Sequence, residues 1–195
     1  KISVEKLKHF VSKDAFNIEG FGKKIVENFW KLKIVKFPQD IFRLDFDKIE
    51  KLEGWGDLSV RNLKYSIDQK KKISLERFIY ALGIRHIGLE NAKLLAKYFV
   101  SFTKFKNFSK KNKYKELLNL DGIGETQVNS IKNFFTNNTN LKVLNELDKV
   151  LKIDNTIINK KKGRLKDKTF LVTGKLNGIS RAEVKSLIEE NSGTT

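Results

Sequence analysis

The 195 residues suffice for one or two domains with their own cores, and a hydrophobic content of 39% suits globular folding. Forty Lys and Arg against 23 Asp and Glu leave a net charge of +17, which points to a polyanionic partner. The absence of cysteine excludes disulfides and thiolate metal sites. His9 and His86 are too few for a metal cluster, and no apolar run approaches the ~20 residues that span a membrane.

The chain opens Lys1-Ile2-Ser3, without an initiator methionine or a signal segment, so it is expected to be part of a longer sequence. Ser3 can cap a first helix carrying Val4, Leu7 and Val11. Then comes Ile18-Glu19-Gly20-Phe21-Gly22, after which a helix is expected from about Lys23 to Lys33. Lys23 and Lys24 fall in its first turn, where cations oppose the helix dipole by up to ~1 kcal/mol; a bound phosphate would reverse that penalty. The only proline, Pro38, marks a short connector helix, and Asp45 or Asp47 opens another that leads into Leu52-Glu53-Gly54-Trp55-Gly56. Arg61 lies on the helix that follows, which runs to Lys70-Lys71-Lys72. Trp55, at the turn, is expected to pack against a neighbouring unit rather than enter a groove of a partner.

Ser74 caps a helix with Phe78, Ile79 and Leu82 on one face, and Ile84-Arg85-His86-Ile87-Gly88 follows. Here His86 stands at the first glycine position, at a modest strain cost if that position has positive φ. Residues 100 to 113 alternate aromatic and basic side chains, which suits a helix with aromatics inward and lysines outward. Leu120-Asp121-Gly122-Ile123-Gly124 is next, with Thr126 and Gln127 as neutral phosphate partners, and a last helix is expected from about Asn140 to Leu151. From Asp154 to Lys162 the chain is polar and lysine-rich, without helical period. Beyond it, Lys168 to Gly174 reads as a buried strand, and Ser180-Arg181-Ala182-Glu183 as a capping box opening a helix with Val184, Leu187 and Ile188. Gly174-Lys175 is no phosphate loop, because Thr169 stands where that loop needs its first glycine.

The four glycine turns share one frame. The second glycines lie at 22, 56, 88 and 124, in steps of 34, 32 and 36 residues, and each is followed by apolar residues four and seven places on. A period of this size marks an array of one supersecondary unit. A helix that starts with Gly-x-Gly presents unpaired amide N–H groups at its positive end with no side chain in the way, which is an anion site. Tight helix–helix turns without a ligand are the alternative reading of any single copy. None is a dinucleotide fingerprint, since Ile25, Ser59 or Gln127 replaces the third glycine.

Four such turns in tandem resemble the helix-hairpin-helix motif, which grips duplex DNA through its backbone. Lys8-His9-Phe10-Val11-Ser12, the run Phe78 to Gly88, and Gly163-Arg164-Leu165 through Thr173-Gly174 carry the resemblance further. Together they resemble the C-terminal portion of the bacterial NAD⁺-dependent DNA ligases, the last stretch being similar to the opening of a BRCT domain. The resemblance implies a mainly α fold. A tandem array of four hairpins would occupy residues 1–152, a linker 153–163, and a truncated α/β BRCT-like segment 164–195. It implies a partner in nicked duplex DNA, bound without sequence preference, a monomer, and a cytoplasmic, nucleoid-associated location.

The expected phosphate contacts are Gly20, Gly22, Gly54, Gly56, Gly88, Gly122 and Gly124, helped by Lys23, Lys24, Arg61, Arg85 and Thr126. The family uses NAD⁺, Mg²⁺ and structural Zn²⁺, but this stretch has no Lys-x-Asp-Gly and no cysteine, so none of these is expected to bind here and no catalytic residue is expected. A hairpin array from a repair nuclease or junction-binding protein, and a protein-interaction module, remain as other readings.

Overall fold

The computed structural model describes residues 3–157, 164–174 and 181–195. The chain divides into two compact units, Lys1–Thr156 and Ile157–Thr195.

The first unit is built from helix pairs. Helix α1 (Val4–Phe10) is capped by the Ser3 hydroxyl, which accepts from the Lys6 amide, and it packs on α2 (Lys23–Lys31). Lys8 reaches from α1 to Glu27 on α2 and to Glu5 on its own helix. That contact holds the Glu27 carboxyl below its ordinary range, so the tie between the helices persists at neutral pH and is lost as pH falls through the lowered value. A 3-10 turn over Pro38–Arg43 replaces the expected connector helix, and Asp45 caps the short α3 (Phe46–Glu50), which packs on α4 (Asp57–Gln69).

In the second half of the unit, Ser74 caps α5 (Leu75–Ala81), which packs on α6 (Leu89–Phe99). Helix α7 (Phe102–Asn107) buries Phe102 and Phe105, with Phe108 just beyond, and turns Lys104 to solvent, as the alternation of residue types anticipates. A 3-10 segment, Tyr114–Asn119, leads to α8 (Glu125–Thr136), and α9 (Asn138–Val150) follows behind an Asn137 cap. Helix α9 packs back on the Pro38–Arg43 turn, and Arg43 Nη1 lies 2.8 Å from Glu146 Oε2. The end of the unit thereby closes on its beginning.

Aromatic rings fill both halves of the core. Phe10 stacks on Phe16 at 4.3 Å between centroids, and Phe21, Phe29 and Trp55 form a second run. In the other half Phe99, Phe105, Phe108, Tyr114 and Phe135 pack edge to face or tilted. His9 is structural: its Nε2–H donates to the Tyr80 carbonyl at 2.7 Å. Arg77 locks α5 to the loop after α1 by donating to the carbonyls of Ala15 and Lys13.

Two expectations for this unit are corrected. Beside the helices of the mainly α fold expected, β1 (Lys72–Ser74) pairs in parallel with β2 (Lys152–Asp154). The segment assigned to a linker from residue 153 is strand as far as Asp154, and the Thr156 amide donates to the Val100 carbonyl at 2.7 Å. Lys71 and Lys72, expected at a helix end, lead into and begin β1, and are paired with Asp68 and Asp154. Three-residue strands leave no periodic trace, and their partners lie far away in sequence.

In the second unit, Thr169 and Thr194 form a parallel bridge on either side of α10 (Arg181–Glu190). Ile188 is buried, and the Gly193 amide donates to its carbonyl at 2.8 Å; a Cβ at Gly193 would meet Ile188 Cγ2 at 2.7 Å. Lys168 to Gly174 is not the buried strand expected: Leu171 is 88% exposed, and the pairing with Thr194 runs through the Lys168 carbonyl, which accepts from the Thr194 amide at 2.9 Å, and the Phe170 amide, which donates to the Thr194 carbonyl at 2.7 Å. A strand is buried only when neighbours flank it, and a single bridge supplies one edge contact. Ser180, the expected cap of α10, and Lys175 lie outside the described residues, as does most of the expected linker.

Candidate nucleic-acid interface

The four glycine turns have the same backbone. In each, the residue between the glycine positions donates its N–H to the carbonyl three residues earlier: Phe21 to Ile18, Trp55 to Leu52, Ile87 to Ile84 and Ile123 to Leu120, at 3.0–3.2 Å. The third residue of each turn has positive φ, at +73° for Gly20, +81° for Gly54, +61° for His86 and +93° for Gly122. That is the requirement of a type II turn, and it explains the first glycine. His86 meets it at a cost, since a Cβ in the left-handed region is unfavourable by ~1–2 kcal/mol. Against the extra backbone freedom that glycine brings to the unfolded chain, His86→Gly is expected to stabilise the fold by roughly 0.5–1 kcal/mol, read as a higher urea midpoint.

The second glycine of each turn is a helix N-cap in extended conformation: Gly22 for α2, Gly56 for α4, Gly88 for α6 and Gly124 for α8. In each helix the fourth residue donates to the cap carbonyl, so the first three amides lie ahead of the helical ladder. Among the described residues those amides, at 23–25, 57–59, 89–91 and 125–127, find no acceptor. A Cβ at Gly22, Gly56 or Gly88 would face open space. The cap side of the first three helix starts is therefore open, whereas at Gly124 a Cβ would meet Gln127 Oε1 at 3.3 Å.

The turns nevertheless fall into two kinds. At the second and fourth, a side chain reaches back to the cap amide: Ser59 Oγ accepts from Gly56 at 2.9 Å and Gln127 Oε1 from Gly124 at 3.1 Å. The equivalent residues at the first and third are Ile25, which has no acceptor, and Asn91, which donates instead to the His86 carbonyl at 3.3 Å. The amides of Gly22 and Gly88 thus stay unpaired among the described residues.

Charge divides the turns the same way. The second carries Glu53 and Asp57, and the fourth Asp121 and Glu125; Arg61 is engaged by Asp57 one helical turn away. Acids at a helix start stabilise the helix by themselves. The first turn sets Glu19 against exposed Lys23 and Lys24, with no acid in the opening turn of α2, and the third sets Glu90 in the opening turn of α6 against exposed Arg85, which has no ion-pair partner among the described residues. Thr126 is exposed on α8. Trp55 packs inward, its ring 5.5 Å from that of Phe29.

The sequence reading did not separate the two kinds of turn, although the N3 residues Ile25, Ser59, Asn91 and Gln127 carried the signal. Among the described residues no cluster of His, Asp and Glu could hold a metal ion, and no helix is long and apolar enough to cross a membrane.

Comparison with known proteins agrees with this geometry. The helix-hairpin-helix motif family matches residues 77–144, which include the third and fourth turns. A DNA ligase of Pelagibacter ubique (strain HTCC1062) is 65% identical over 193 residues, covering 99% of this chain and 29% of the relative. DNA ligases of Wolbachia pipientis subsp. Culex pipiens (strain wPip) and Rickettsia canadensis (strain McKiel) are 44% and 42% identical, over 93% and 95% of the chain. The chain spans about 29% of the length of the first of these relatives and 28–29% of the other two. By its helix-hairpin-helix motif and its identity across nearly all its residues, the chain is similar to one such portion of these DNA ligases.

Proposed function

We propose that this chain grips duplex DNA by its phosphates, without sequence preference, as the non-catalytic C-terminal portion of an NAD⁺-dependent DNA ligase that seals nicks. The observation that carries it is the fourfold repetition of unpaired helix-start amides, open on the cap side at Gly22, Gly56 and Gly88, on a chain of net charge +17. We read the four turns as four helix-hairpin-helix hairpins, the first and third holding phosphate. There the cap amide is free, and Lys23 and Lys24 or Arg85 supply charge. In the second and fourth, paired acids and an internally satisfied cap amide favour a packing role.

The adenylated lysine, NAD⁺, Mg²⁺ and Zn²⁺ belong in this reading to the rest of the enzyme, since the chain has neither a Lys-x-Asp-Gly sequence nor cysteines. Residues 164–195 are read as part of a BRCT-like fold, supported by a helix between two segments bridged in parallel. The working form is a monomer on DNA in the cytoplasm.

Fluorescence anisotropy with nicked and intact duplexes tests the reading. With about four phosphates neutralised, binding should weaken roughly 100-fold between about 50 and 200 mM salt, through counterion release. Affinity that ignores salt, or that follows base sequence, would end it.

A further inference from the structure

A cavity of about 650 Å³ opens between the first and second turns, bounded by Gly20 and Gly54 and walled by Ile25, Trp55, Asn62 and Tyr65. Its size falls within the range of small-ligand sites. Helix α4 shows why it exists. One face of α4, with Val60, Leu63 and Ile67, is buried in the core. A second face, with Leu58, Asn62 and Tyr65 flanked by Ser59 and Ser66, is wholly uncharged in a chain of which 32% is charged. Leu58 and Tyr65 are each 67% exposed on that face, which is far from the usual treatment of large apolar groups.

In the other pair of turns a side chain occupies the matching place. Six residues past the second glycine of the third turn, Leu94 places its Cδ1 3.1 Å from where a Cβ on Gly122 would stand. The residue in that place after the first turn is Asn28, which is exposed, and Gly54 faces open space. Trp55 is held in place by Phe29, so the aromatic wall is pre-formed. Asn62 and Ser66 make no hydrogen bond among the described residues. The only charged residue in the lining is Glu19, which disfavours a phosphate inside, whereas Lys23 and Lys24 lie just beyond the Gly20 turn. The occupant is therefore neutral, has an apolar face for Trp55 and Tyr65 and a hydrogen-bonding edge for Asn62 and Ser66, and is joined to an anion outside.

We propose that this cavity is a nucleoside-binding groove, taking the deoxyribose and base edge of one nucleotide of a bound strand while the adjoining phosphate meets the start of α2. The proposal rests on the DNA-binding reading above and adds a contact that is not electrostatic. Hairpin two then serves the interface through its aromatic wall rather than its amides.

The test uses the whole 195-residue chain and a short nicked duplex. Trp30→Phe leaves Trp55 as the sole tryptophan. Saturating DNA should quench its emission and shield it from acrylamide. Tyr65→Ala, in the otherwise unchanged chain, should lower affinity about tenfold with an unaltered salt slope, because apolar contact area with the deoxyribose is lost and no phosphate contact is. Asn62→Ala should give a smaller loss in the same sense. The side chain of Tyr65 is exposed, so an unchanged thermal midpoint is expected and separates this from misfolding. If DNA binds with the usual salt dependence but Trp55 emission and the Tyr65→Ala affinity do not change, the groove holds no nucleoside and faces another partner, while the phosphate reading stands. If the unsubstituted chain binds no DNA, both fall.

Discussion

Replacing Lys23 and Lys24 together with glutamate is expected to weaken binding to a nicked duplex by roughly 10–100-fold near 0.1 M salt and to flatten the salt dependence by about two counterions. Both side chains are exposed in the first turn of α2, beside the unpaired amides of Gly22, Lys23, Lys24 and Ile25. Without a ligand they oppose the helix dipole, so glutamate there should strengthen the isolated helix while it removes the phosphate site. Stability and binding would then move in opposite directions, which a loss through misfolding cannot imitate. A smaller change of charge in the same direction, Thr126→Glu, serves as control at the fourth turn, where Asp121 and Glu125 already repel an anion. It should cost less than about threefold, on the order of one weak screened contact. Equal losses at the two turns would refute the division into two kinds.

Phe135→Ala is expected to be the most damaging single change to the fold, at about 3–5 kcal/mol. The ring is fully enclosed and touches Phe105 at 5.1 Å between centroids, Phe134 at 5.4 Å, Phe108 at 6.3 Å and Tyr114 at 6.4 Å. These neighbours come from α7, the 3-10 segments Phe108–Lys111 and Tyr114–Asn119, and α8, so the cavity would open where several elements meet and none can collapse alone. Against a total stability of about 5–15 kcal/mol such a loss leaves a protein near its threshold. The thermal midpoint should fall by roughly 10–15 °C, at about 2–4 °C per kcal/mol for a domain of this size. Phe37→Ala, at a half-exposed ring, should cost under about 1 kcal/mol. Similar values for the two variants would show that the aromatic cluster is not the keystone of this half.

Helix starts were legible from short patterns: Ser3 and Ser74 cap where their spacing to the next apolar residues places them, and of the two candidates Asp45 and Asp47 it is Asp45 that caps α3. At His86 the repeated frame raised the positive φ only as a condition, and the backbone of the folded chain supplied it. Arg61 was also readable as a cation near a turn, but not its engagement by Asp57 one helical turn away. The strand expected at Lys168 to Gly174 went wrong because an apolar run states only that a segment can be buried, not that a neighbour is there to bury it.

What the amino-acid order determined alone is everything settled within about four residues: the type II turns, the glycine caps, the bare amides and the helical faces that follow. These depend on backbone sterics and on hydrogen bonds that close short rings. Only the tertiary structure decided the pairing of β1 with β2, the return of α9 onto the Pro38–Arg43 turn, and the filling of one inter-turn space by Leu94 while its counterpart stayed open. Those outcomes rest on the fit of side chains distant in sequence, and close packing leaves no local pattern from which that fit can be read.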